Sequence, residues 1–183
     1  MNIRIESGVI LGKFCKLRPV TVNDAGFIVR LRNDERKSTY ISKGVQTIEA
    51  QADWIVSYLQ RYSEGLEYYF IACDMEDKAC GTVRLYRIND HECTGGSWVM
   101  KAGTPTAISL ETYLMPLHFA FETLSKSVVH IDVRKENTRV WKWHEMCGAL
   151  FIGEDENYRY YDYLPESKLI AERMVSRLIY LDN

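Results

Sequence analysis

Between Ser97 and Gly148 a strand, a small-residue loop, a helix, a second strand and an Asn-led helix follow one another, and this order constrains the chain more than any other feature. Ser97-Trp98-Val99-Met100 reads as the end of a strand, and Lys101 to Ser109 is a run of small residues. Leu110, Leu114, Leu117, Phe121 and Leu124 then recur at helical spacing and form one apolar stripe. Val128 to Val133 reads as a strand, Asn137 follows it, and Val140 to Cys147 reads as a helix that ends at Gly148. A strand that feeds small residues into a helix start leaves the first backbone N–H groups of that helix free and pointing outward. The helix dipole favours negative charge at the same place. The pattern predicts an α/β chain with a built-in seat for a phosphorylated cofactor.

The same stretch resembles the GNAT superfamily of acyl-CoA N-acyltransferases, whose cofactor loop follows the fourth strand and reads Q/R-x-x-G-x-G/A. Here Thr104, Ala107 and Ser109 align with that loop, with small residues at both glycine positions and no leading Gln or Arg. Asn137, Val140, His144 and Gly148 follow the family's N-x-x-A-x-x-x-Y-x-x-x-G-F run, with His144 in place of Tyr and Ala149 in place of Phe. Lys16 to Thr21, with Asp24 beyond, resembles the family's first strand and first helix, so the likeness runs from about Lys16 to about Leu164. It implies a mixed, mostly antiparallel α/β sheet of about six or seven strands flanked by about four helices. The sheet should be splayed between the family's fourth and fifth strands.

Composition sets compatible limits. A chain of 183 residues suits one domain. The expected core lies at about residues 10–164, with a C-terminal helix at about 165–180. A hydrophobic fraction of 46% supports a packed core, and a net charge of −2 gives no footprint for nucleic acid. No stretch reaches the length of a membrane span and the N-terminus lacks a signal-peptide pattern, so a cytoplasmic protein is expected. The five cysteines form no CxxC pair and are odd in number, which suits reduced, buried thiols and no metal site.

Along the chain, Leu11 to Val20 reads as a strand, Thr21 with Asp24 as a helix start, and Thr47 as the cap of a helix carrying Trp54, Ile55 and Tyr58. Tyr68 to Cys73 and Gly81 to Ile88 read as strands joined at Asp74 to Lys78, and Asn89 to Glu92 turns the chain into the strand ending at Met100. Pro116 inside the apolar stripe predicts a kink or a later helix start. His118 and Glu122 stand four residues apart and are expected to pair, and His130 shares a strand face with Asp132. Phe151 to Leu164 reads as a closing hairpin.

The resemblance implies direct acyl transfer from acetyl-CoA to a primary amine, with no metal. The cofactor would be held by Trp98, Val99, Met100, Gly103, Thr104, Thr106, Ala107, Ile108, Ser109, Asn137 and Lys142. The alternatives at these positions are a plain strand-to-helix turn, a simple Asn cap at Asn137, and solvated charges at Lys142 and Arg139. His144 stands where the family has an acid for the departing thiolate, and imidazole can donate a proton near neutral pH; a packed core histidine is the competing reading. Glu111 near the helix start, and His91 and Glu92 in the turn before the strand, are candidate bases with structural alternatives. Arg32, Arg36, Tyr40, Tyr69 and Arg84, with Tyr68 and Tyr86, could line an acceptor pocket for a nucleotide-linked amino sugar under a loop from Asn33 to Ser42. An N-terminal protein acetyltransferase of the ribosomal-protein type and a catalytically inactive cofactor-binding module are the competing functions. A small-molecule amine is the expected partner, without nucleic acid or membrane, and a homodimer stays open.

Overall fold

The computed structural model describes residues 3–34, 40 and 47–181. Nine strands form one sheet: β1 (Arg4–Glu6), β2 (Val9–Leu11), β3 (Cys15–Pro19), β4 (Tyr68–Asp74), β5 (Ala79–Tyr86), β6 (Glu92–Met100), β7 (Val128–Arg134), β8 (Leu150–Glu154) and β9 (Tyr158–Tyr163). Their order across the sheet is β1-β2-β3-β4-β5-β6-β7-β9-β8. Among the described residues five α-helices accompany them: α1 (Ala25–Arg32), α2 (Ile48–Ser63), α3 (Thr106–His118), α4 (Thr138–Met146) and α5 (Pro165–Leu181).

The sheet exceeds the expected six or seven strands at its N-terminal edge. Ser7 and Gly8 both adopt positive φ (50° and 79°), the requirement of a tight hairpin turn, and they fold β1 back on β2. The strand expected from Leu11 to Val20 is broken at Gly12 to Phe14, where the Gly12 N–H donates to the Cys15 carbonyl at 2.9 Å. The turns at Asp74 and Asn89 form as expected: the Asp74 carboxylate accepts from the Glu76 and Lys78 N–H groups, and the Asn89 side-chain carbonyl from those of His91 and Glu92. Thr47 caps α2 by accepting from the Ala50 N–H at 3.2 Å. The Thr21 N–H and hydroxyl both donate to Asp24, opening a 3₁₀ turn that leads into α1.

Each sheet face has its own core. α3 and α5 cover one face over Leu17, Phe70, Leu85, Val129, Tyr161 and Tyr163. α1 and α2 cover the other over Val20, Ile55, Tyr58, Tyr69 and Ile71. All five cysteines are buried and free. Pro116 does not delay the helix, which starts at Thr106. The chain instead continues into a π turn (Phe119–Thr123), with the Leu124 N–H reaching the Phe119 carbonyl at 3.0 Å. His118 and Glu122 interact electrostatically as expected, while the ion pair of Glu122 goes to Lys168 on α5. His130 likewise takes other partners than its face neighbour: Asp162 at 2.6 Å and Glu92 at 3.0 Å.

Two departures from regular pairing shape the middle of the sheet. Between the pairs Thr82–Val99 and Arg84–Gly96, β5 contributes only Val83 while β6 contributes Ser97 and Trp98. This bulge places Ser97 at φ 51°, and its carbonyl accepts from the Thr82 hydroxyl at 2.8 Å. The extra residue turns Trp98 and Met100 toward α3, where the Trp98 indole donates to Thr112. Next to the bulge, β6 and β7 run parallel for four pairs only, from Glu92–Val128 to Gly95–Ile131. Beyond that point the strands part and β7 continues against β9.

Candidate active site

A cavity of about 480 Å³ passes through the sheet where β6 and β7 separate. Gly95 and Gly96 form its floor: a Cβ at Gly95 would lie 2.8 Å from Ile131 Cδ1, and one at Gly96 would lie 3.1 Å from Tyr86 Cε1. Side chains larger than hydrogen would fill the parting of the strands.

On the α3 side, β6 from Gly96 to Met100 has no strand along its β7-facing edge among the described residues, so its backbone groups there are open to a ligand. α3 begins after Pro105, which supplies no side-chain cap, and its first intrahelical bond runs from the Ser109 N–H to the Pro105 carbonyl at 3.1 Å. The N–H groups of Thr106, Ala107 and Ile108 therefore have no acceptor within the helix. Gly103 sits at φ 80° with nothing within 4 Å of a Cβ position, so the approach is unobstructed. Free amides, a helix dipole and small side chains fit a pyrophosphate. Asn137 opens α4 without a side-chain cap bond and lines the cavity, so the simple cap reading fails there.

His144, only 6% exposed, stands at the back of this side. Its Nδ1 lies 3.1 Å from the Tyr163 hydroxyl and 3.3 Å from the Tyr113 hydroxyl, and those two hydroxyls share a short hydrogen bond. Nε2 has no hydrogen-bond partner among the described residues. Burial lowers the imidazole pKa to about 4, so the ring is neutral at pH 7, and the expectation of an imidazolium donor is corrected on that ground. Burial also pushes both tyrosine phenols up.

The opposite side is walled by Arg32, Tyr40, Tyr69 and Arg84 together with Gln51, Trp54 and Tyr86. Glu67, its side chain 4% exposed, accepts from the Nε of both Arg61 and Arg84. The Arg84 guanidinium lies 5.1 Å from the Trp54 ring and 4.7 Å from that of Tyr86. Held by one carboxylate and two rings, Arg84 keeps its outer N–H groups free of protein acceptors among the described residues, a fork suited to an oxyanion.

Residues 15–150 match the profile of the acetyltransferase (GNAT) domain family. The chain belongs to that family. FdhC, a nucleotide-linked sugar GNAT solved in its apo form, is 35% identical, with a TM-score of 0.80 over 90% of this chain and 94% of its own. The ribosomal-protein-S5-alanine acetyltransferase from Vibrio fischeri shares the GNAT fold at 16% identity, with a TM-score of 0.73 over 85% of this chain and 96% of its own. So does the spermidine N-acetyltransferase from Vibrio cholerae in complex with CoA and spermine, at 19% identity and a TM-score of 0.70 over 85% of this chain and 98% of its own. A search of curated protein sequences finds no match.

Within this GNAT frame the expected residues divide. Trp98, Val99, Asn137, His144, Arg32, Tyr40, Tyr69 and Arg84 meet at the cavity. Met100, Gly103, Thr104, Thr106, Ala107, Ile108 and Ser109 lie beyond it, at the end of β6 and the start of α3. Lys142 is exposed, 5.5 Å above Trp141, and does not line the cavity. Glu111 is corrected: its buried carboxylate accepts from the N–H groups of Lys13, Phe14 and Cys15 at 2.6, 2.7 and 2.9 Å. It fastens α3 to the β2–β3 turn and is not among the residues lining the cavity. Glu92 is held by His130, and Tyr68 packs against Phe70 and Phe119 on the α3 face. Arg36 and most of the Asn33 to Ser42 loop lie outside the described residues. Sequence reasoning missed Tyr113, Tyr163, Glu67 and Asp132. Only strand alternation carried a signal for the last, since it sets Asp132 on one face with His130 and Arg134.

No helix among the described residues is long and apolar enough to cross a membrane, and no group of three or more His, Cys, Asp or Glu among them could hold a metal ion.

Proposed function

We propose that this GNAT acetyltransferase moves an acetyl group from acetyl-CoA to the primary amine of a nucleotide-linked amino sugar. The observation that carries the reading is the cavity through the split sheet, with free backbone groups on one side and an arginine and aromatic wall on the other. Acetyl-CoA would supply the acyl thioester. The amides of Thr106, Ala107 and Ile108 would hold its pyrophosphate, and the open edge of β6 with Asn137 would hold its pantetheine arm. Neutral His144, its Nδ1 facing the tyrosine hydroxyls, would present its Nε2–H to the departing sulfur as a hydrogen-bond donor.

On the other side Trp54 and Tyr86 offer rings for stacking, and Arg84 offers a fixed fork for a phosphate. A volume of about 480 Å³ suits a small acceptor better than an extended peptide. The 35% identity to a nucleotide-linked sugar GNAT supports the same class.

The test is thioester consumption with a panel of amines: UDP- and dTDP-linked amino sugars, N-terminal peptides and polyamines. Turnover of an amino-sugar nucleotide is expected. Robust acetylation of peptides alone would replace this reading with N-terminal protein acetylation.

A further inference from the structure

Asp132 is the one carboxylate among the described residues lining the cavity, which also presents Arg32, Arg84 and Arg134. It follows Ile131, the last β7 residue paired with β6, so it stands where the two strands part. Its face is the one that Arg84 and Tyr86 share, opposite to α3. Tyr86 reaches toward it across Gly96, where any Cβ would crowd the ring. The groups that face Asp132 are Tyr86 from β5 and Tyr160 from β9; burial first, then the Asp132 charge, push the Tyr86 phenol up, and the same charge acts on Tyr160. Among the described residues Asp132 forms no ion pair, although it is exposed to a cavity with three arginines on its wall.

A carboxylate that forms no ion pair among the described residues, and accepts a hydrogen bond from the Tyr86 phenol alone, has a counterpart in N-acetyl transfer. The acceptor amine arrives in water as an ammonium, and its nitrogen can attack only after losing a proton. We propose that Asp132 is the base of this reaction, binding the acceptor's ammonium where the strands separate and taking one of its protons. The freed lone pair forms the new N–C bond as the C–S bond of the thioester breaks. The proton that the new amide nitrogen sheds goes to the departing sulfur, and Asp132 returns its own proton to water. The inference rests on N-acetyl transfer alone and not on which amine is the acceptor.

The experiment compares Asp132→Asn with the wild type in two assays. The first uses the best amine of the panel above, followed from pH 6 to 10. The second uses acetyl-CoA alone, where slow hydrolysis puts water in the place of the amine. Asn has nearly the same shape, and melting curves verify that the variant folds. The expected result is a kcat for the amine lowered about 10²-fold or more at pH 7, with KM for acetyl-CoA unchanged. The deficit should shrink as pH rises and the free amine loses its proton in solution, and hydrolysis should slow as well. Wild-type rates in both assays, or a loss of the same size at every pH, would overturn the role of Asp132. Failure of every amine, together with slowed hydrolysis in the variant, would overturn the amino-sugar reading and leave Asp132 as the base.

Discussion

The two sides of the cavity are made of different material. The α3 side offers mainly backbone: an unpaired strand edge and the free amides of a helix start. The α1 and α2 side offers side chains, with Arg84 clamped by Glu67 between two rings, and Arg32, Gln51 and Tyr69 drawn from separate elements. Backbone donors need only small neighbours and the right conformation, so the loop from Lys101 to Ser109 can present free amides with no Gln or Arg at its head and with Ala107 and Ser109 at the two small positions. A wall of side chains has no such freedom, since each member supplies a group that no other residue type reproduces.

Four variants probe that division. The largest effect is expected at the scaffold of the backbone side. Glu111→Ala strands three N–H groups and should cost about 3–5 kcal/mol in urea unfolding, since hydrogen bonds to a charged group are worth about 1.5–3 kcal/mol each and do not add. The folded fraction should keep kcat near the wild-type value. Full stability with activity lost would return Glu111 to the chemistry.

Next comes the buried imidazole. With a folded-state pKa of about 4 against an ordinary 6.5, His144 is protonated more readily in the unfolded chain. Stability from its burial is therefore complete above pH 6.5 and is lost as pH falls toward 4, by about 3 kcal/mol. Unfolding free energy measured against pH should show this slope in the wild type and not in His144→Gln. Equal slopes would mean that the ring is not sealed.

The smallest effects separate the two sides directly. Ala107→Asp puts a carboxylate among the free amides and should weaken acetyl-CoA binding by tenfold or more in a thermal-shift titration, leaving KM for the amine alone. Arg84→Met should do the reverse, raising KM for the anionic acceptor about tenfold with little change in kcat. If both variants alter the same constant, the sides are not independent.

What was legible in the sequence follows the same line. The strand, loop and helix order from Trp98 to Gly148 is local, and the turn chemistry at Asp74 and Asn89 acts within a few residues, so both could be read. The β1–β2 hairpin was hidden because each strand is three residues long, too short for a period to show. Glu111 could not be placed, because its partners lie 96 to 98 residues away. The clamp at Arg84 joins α2, β4 and β5 with Glu67 just before a strand, and no linear spacing marks such a meeting.

The extra residue at Ser97 has a consequence for variation in sequences like this one. Two residues face one at this position, so every residue of β6 after Ser97 points to the face it would otherwise have avoided. Exchange of one side chain for another there leaves that assignment alone. Loss or gain of a single residue between Gly96 and Val99 reverses it, sending Trp98 and Met100 away from α3. The segment should tolerate changes of letter far better than changes of length, and a one-residue gap drawn there in an alignment exchanges the two faces of the strand.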